Sequence, residues 1–125
     1  MDGQQKSGEV LYAEWEELDT TAPTVTGRNP SSGAENVSVS SNIVITFSEN
    51  IDPSSVTGSS VYLRRGSSSV SVSQTTSGNR VTLNPTSNMV SETTYTVSVQ
   101  TGVRDTSGNT IASNATWTFE TEDIT

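Results

Sequence analysis

Fourteen acidic residues against six Lys and Arg, with no histidine and no cysteine, limit the chemistry open to this 125-residue chain. Without imidazole or thiol, the usual general base, the thiolate nucleophile and the two commonest zinc ligands are missing, so His- or Cys-based hydrolytic triads are excluded. What remains is carboxylate and amide chemistry. Glu49 with Asp52, or Glu92 with Asp105, has the composition of a glycosidase pair. Nothing in the sequence provides a deep cleft between either pair, and the chain is expected not to be an enzyme.

The run Asp105-Thr106-Ser107-Gly108-Asn109 admits a calcium reading, because hard cations take carboxylate, amide and backbone oxygens from tight Gly-containing loops. It lacks the alternating ligand register of a helix-loop-helix calcium loop. The competing reading is structural: Asp105 closes the loop through an Asx turn, and Gly108 and Asn109 take left-handed backbone before the last strand. Glu49, at the end of an apolar strand, poses the same choice between accepting backbone N–H groups and ligating an ion with Asp52.

Sugar binding would call for exposed aromatic rings on which a pyranose can stack. Trp117 alternates with Phe119 and reads as core, which leaves Tyr62, Tyr12 and Trp15 as platforms. Thr94, Thr96 and Ser98, with Thr116 and Thr118, predict a hydroxyl-rich outer sheet face, ordinary for solvated strands. Asn36-Val37-Ser38 and Asn114-Ala115-Thr116 match the N-glycosylation pattern, a three-residue signal expected by chance in so Ser/Thr-rich a chain.

The elements that position these groups follow from composition and period. Ser and Thr supply about a third of the residues, which disfavours helices and suits strands joined by polar turns. From Thr24 onward apolar residues recur every second position: Val37 and Val39; Ile43, Ile45 and Phe47; Val61 and Leu63; Val70 and Val72; Val81 and Leu83; Tyr95, Val97 and Val99; Trp117 and Phe119. Turn formers separate them at Asn29-Pro30, Asp52-Pro53, Gly66, Ser77-Gly78-Asn79, Asn84-Pro85 and Ser107-Gly108-Asn109. This spacing predicts an all-β sandwich of about seven antiparallel strands with Greek-key connections. Its expected core is Val37, Ile43, Ile45, Phe47, Val61, Leu63, Val81, Leu83, Tyr95, Val97, Trp117 and Phe119. Asp52 ahead of Pro53 predicts a capped single helical turn.

Residues 1–18 differ in kind. Glu9, Tyr12, Glu14, Trp15, Glu16 and Glu17 form an acidic, aromatic stretch, with Leu11, Trp15 and Leu18 spaced for one face of a short helix. They are expected to be a leader or linker, with residues 19–125 as the domain. A recognition peptide carried by the sandwich is the other reading of this stretch. The net charge of −8 repels phosphate backbones, so no nucleic-acid partner is expected. No apolar run is long enough to span a bilayer.

Several segments in order resemble the bacterial Ig-like domains of S-layer proteins, adhesins and secreted multidomain enzymes. They are Asp19-Thr20-Thr21-Ala22-Pro23, the Asn29-Pro30 turn, the strand from Ile43 to Glu49 with Ile51-Asp52, Thr94-Tyr95-Thr96-Val97, Val103 to Asn109, and Trp117-Thr118-Phe119-Glu120-Thr121. The resemblance implies a monomeric spacer or adhesive module of an exported, extracellular or cell-surface bacterial protein, its export signals lying outside this stretch. The alternative is an accessory carbohydrate-binding domain. Implied partners are neighbouring domains of the same chain and a surface polysaccharide or protein. Calcium commonly stiffens the junctions of related adhesins, which adds Asp19 to Asp105 and Asn109 as expected ligands, the rest of the site belonging to a neighbour.

Overall fold

The computed structural model describes residues 20–124. Among the described residues nine strands form two sheets: β1 (Val25–Asn29), β2 (Ala34–Val37), β3 (Ile43–Phe47), β4 (Val61–Arg65), β5 (Ser68–Val70), β6 (Val72–Ser77), β7 (Arg80–Pro85), β8 (Thr94–Val99) and β9 (Ala115–Thr121). One sheet has the order β2-β9-β8-β4-β5 and the other β1-β3-β7-β6. All pairs are antiparallel except β2 with β9, which run parallel with Ala34 opposite Phe119 and Val37 opposite Thr121. The expected sandwich is present, with two strands more than anticipated. One antiparallel pair is replaced by a parallel one.

The period-two pattern works as a packing instruction. Ile43, Ile45 and Phe47 face Val81 and Leu83 within one sheet; Val61, Leu63, Val97, Val99, Trp117 and Phe119 face them from the other, and all are buried. Tyr95 and Phe119 stack with centroids 5.8 Å apart. The Tyr95 hydroxyl leaves the core to accept the Val90 N–H at 2.8 Å, so the ring is buried without an unpaired hydroxyl. Val37 departs from expectation. It is only half-buried, because it ends the edge strand β2, and Val39 two residues on is the core residue instead. Ile51, Met89, Val103 and Ile111, from connecting segments, complete the core.

Turn chemistry follows the residues. The β6–β7 hairpin reverses through Gly78-Asn79, with Ser77 opposite Arg80 and Gly78 at φ 59°, a conformation that a side chain would strain. Asp52 caps the 3-10 turn Pro53–Ser55 by accepting the Ser54 N–H at 3.0 Å, as the Asp-Pro pair predicts.

The two ends of the described chain lie at opposite poles. Val25 pairs with Phe47 and Thr24 accepts the Ser48 N–H, which puts the N-terminal segment beside the Gly78 hairpin and the end of β3. Beyond β9, the Glu122 N–H donates to Val37 and its carboxylate accepts the Val39 N–H, on the side where β3 begins. The sandwich therefore stands between the points where the chain arrives and leaves.

Candidate functional site

The sequence nominees converge at the N-terminal pole. The segment after β3 runs past the 103–111 loop: Ile51 bridges Asp105, the Asp52 N–H donates to Arg104, and the Thr106 N–H donates to Asn50. The Ile51 N–H donates to Gly78 at 2.9 Å, tying the hairpin to the same corner. Asp105 sits inside it at 1% exposure.

A buried carboxylate must be satisfied, and this one is. Oδ1 accepts the Ser107 N–H at 2.9 Å and the Asn109 N–H at 2.8 Å, and Oδ2 accepts from Asn109 Nδ2 at 3.2 Å. Gly108 between them has φ 95°, which lets the loop close around the carboxylate. Burial alone raises the Asp105 carboxyl. The Asn109 backbone and side-chain N–H groups, a hydrogen bond with Glu49 and the Ser107 N–H outweigh it, and hold the group below the ordinary aspartate range.

The sequence leaves Glu49 a choice between backbone N–H groups and an ion shared with Asp52; in the structure its carboxyl lies against Asp105, with Oε2 buried. Asp52 turns away to Arg104, whose Nε donates at 3.1 Å while Nη2 donates to Ser54 at 3.2 Å. The Ser54 hydroxyl and N–H, ahead of Arg104, lower the Asp52 carboxyl. The second imagined pair separates completely. Glu92 hydrogen-bonds to Glu122 at the C-terminal pole, whereas Asp105 is at the other end, so these two carboxylates cannot share a substrate.

Among the calcium nominees, Asp105 and Asn109 are brought together, while Asp19 lies outside the described residues. No group of three His, Cys, Asp or Glu side chains suited to a metal converges among the described residues. Nothing local in the sequence marks the link between Glu49 and Asp105, which follows from Ile51 bridging Asp105 across the fold.

The aromatic platforms fare differently. Trp117 is core, its indole N–H donating to Pro30 at 3.1 Å and its ring face carrying the Arg28 guanidinium 5.0 Å from the centroid. Tyr62 is half-buried in β4, and the Arg64 guanidinium lies over its ring at 4.8 Å, so that face is already stacked. Tyr12 and Trp15 lie outside the described residues. Thr116, Ser98 and Tyr62 form one cross-strand row and Thr118, Thr96 and Arg64 the next, the anticipated hydroxyl-bearing face, although Ser98 within it is buried and not solvated. Asn114 of one sequon uses its Oδ1 to accept the Thr101 N–H, and Asn36 of the other sits at φ 58° within β2. A hollow of about 400 Å³ opens between Pro23, Val25 and Arg28 on one side and Ile111 to Thr116 on the other, with no carboxylate in its wall.

Comparison with known proteins agrees with this architecture. The sequence profile of the family described as "Bacterial Ig-like domain" matches residues 19–121. No curated protein matches the chain. Among solved structures, the S-layer protein rSbsC(31-844) is similar over 84% of this chain and 14% of its own, at 20% identity and a TM-score of 0.57. CopC from Methylosinus trichosporium OB3b is similar over 82% of this chain and 96% of its own, at 11% identity and 0.66. The LD transpeptidase LdtMt1 is similar over 81% of this chain and 40% of its own, at 24% identity and 0.58. At such identities the likeness is one of fold. This chain spans a small part of the S-layer protein and under half of the transpeptidase.

Proposed function

The chain belongs to the bacterial Ig-like domain family, and on that premise we propose that it is a non-catalytic spacer module of a multidomain bacterial surface or secreted protein. The observation that carries this reading is the placement of the chain ends: the N-terminal segment beside Ser48, and Glu122 beside Val37 and Val39 at the opposite pole. A sandwich threaded in this way adds its own length to whatever it joins. A folded domain with an extensive apolar core also holds orientation. Its partners are then the neighbouring domains of the same chain. The similarity to an S-layer protein over a fraction of that protein's length supports the same role and an extracellular setting.

The test is a chain carrying residues 19–125 twice in tandem. Small-angle scattering should give a maximum dimension near twice that of a single copy; two copies folded side by side would refute the spacer reading.

A calcium ion at the N-terminal pole is the second part of this reading. What supports it is the approach of the half-buried Glu49 carboxyl to the buried Asp105 carboxylate, a pair in which a cation could take the place of the proton between them. Asp105, Asn109 and Glu49 would hold the ion through carboxylate and amide oxygens, with Asp19 as the ligand outside the described residues. Thermal melts with calcium and with a chelator decide the matter: a ligand held only by the folded state raises the melting temperature, and identical melts would remove calcium from the account.

Carbohydrate binding is the less favoured function. The one described platform, Tyr62, already stacks against Arg64.

A further inference from the structure

The hollow beside β1 combines an apolar wall with a cation. Pro23, Val25, Ile111 and Ala115 supply apolar surface, and Arg28 is the charged residue among its lining side chains. The Arg28 guanidinium lies over the Trp117 ring, 5.0 Å from the centroid. That stack holds the planar group in place and leaves its N–H edge for a carboxylate, which a guanidinium can grip through two parallel bonds. The wall contains no carboxylate to take that place. At about 400 Å³ the space is large enough for a bulky side chain with a polar group beside it.

The sequence just upstream carries what the hollow lacks. Glu14, Glu16, Glu17 and Asp19 supply carboxylates, with Trp15 and Leu18 among them. These residues lie outside the described ones, but the place where they join is known: the described chain starts at Thr20, and Pro23, soon after, is buried in the wall of the hollow. From Leu18 to Pro23 the extended chain reaches about 17 Å at most. A tether this short gives an effective concentration in roughly the millimolar range, so a site too weak to capture a free peptide is filled by an attached one. The opposite pole offers no such welcome, since Glu92, Glu120 and Glu122 gather there and repel an acidic segment.

We propose that the hollow between Pro23, Arg28 and Ile111 is the receptor for the acidic segment 9–18 of this same chain, with Arg28 pairing to its carboxylates and the apolar wall taking Trp15. Docking there covers the side of the sandwich next to the entering chain. The inference concerns the entry segment and stands apart from the spacer reading.

The experiment is acrylamide quenching of tryptophan fluorescence in the full chain. Of its two tryptophans, Trp117 is buried at 4% exposure, so differences between variants report Trp15. Ser113 is exposed on the rim of the hollow. Ser113→Glu sets a carboxylate against the acidic segment and should raise the quenching about twofold or more. Ser113→Lys, of comparable bulk, should leave it at or below the wild-type level. Glu16→Gln combined with Glu17→Gln, outside the described sandwich, should raise it as Ser113→Glu does. Equal quenching in the wild type and Ser113→Glu would overturn the proposal, and so would an equal rise with Glu and Lys, the mark of a steric effect. Unchanged quenching in the Glu16→Gln, Glu17→Gln protein would overturn it whether or not the Ser113 variants fold. Protection of Trp15 that grows with protein concentration would make the occupant a second copy's segment and overturn it as well. None of these results alters the placement of the chain ends on which the spacer reading rests.

Discussion

Asp105 and Asn109 hold each other at both ends: the Asn109 N–H reaches Oδ1 at 2.8 Å and its Nδ2 reaches Oδ2 at 3.2 Å, while the Asp105 N–H donates to the Asn109 carbonyl at 2.9 Å. The 103–111 loop is therefore folded around one carboxylate, while the Asp105 backbone bridges Ile51, whose N–H donates to Gly78 of the hairpin.

Replacing Asp105 with Ala should cost about 3 kcal/mol, because the deletion strands several buried donors that had shared an ionised acceptor. Urea unfolding measures it. A loss within about 0.5 kcal/mol, the range of surface substitutions, would show that the loop holds without its carboxylate.

The depressed Asp105 carboxyl also sets an acid limit. A group held below its unfolded value of about 3.9 contributes stability that is complete above that value and is lost as pH falls through its lower folded value. In metal-free buffer the urea midpoint of the wild type should fall on going from pH 5 toward pH 2. Asp105→Asn should fall less steeply. Asp52, shifted in the same direction but exposed and screened, should contribute little to the slope.

Phe47→Ala should cost about 3–5 kcal/mol, comparable with the whole stability of a small domain, since Phe47 is buried at 1% exposure between the sheets. Trp117→Phe keeps most of the volume but loses the indole bond to Pro30 and should cost about 1–2 kcal/mol. Thermal melts that place these two variants in the reverse order would contradict the assigned core.

Gly108→Ala forces a side chain into φ 95° at a position with open space around it, so the penalty is conformational and not steric. A loss of about 1–2 kcal/mol is expected. A variant as stable as the wild type would mean that the loop relaxes to another conformation.

The sandwich was legible where strands alternate strictly, as in Ile43-Val44-Ile45-Thr46-Phe47, because one-face burial writes itself into a period of two. β2 carried no such signal. Ala34-Glu35-Asn36-Val37 is short and polar, and its parallel place beside β9 depends on where the chain goes after Pro30. Met89, Val103 and Ile111 are single apolar residues in polar segments, so nothing local separates them from Val90, which stands 46% exposed beside Met89. At the candidate site the Asx turn of Asp105 was readable from its own loop. The approach of Glu49 was not, since it joins residues more than fifty positions apart through the packing of Ile51 against the hairpin.

The sandwich separates the points where the described chain arrives and leaves, and a distance tests that separation most directly. Spin labels on Thr20→Cys and Ile124→Cys, measured by pulsed dipolar spectroscopy, should give one narrow distribution near the length of the sandwich, about 30–40 Å for strands of this length with their flanking loops. A distribution centred below about 20 Å, with both ends at one pole, would contradict the account.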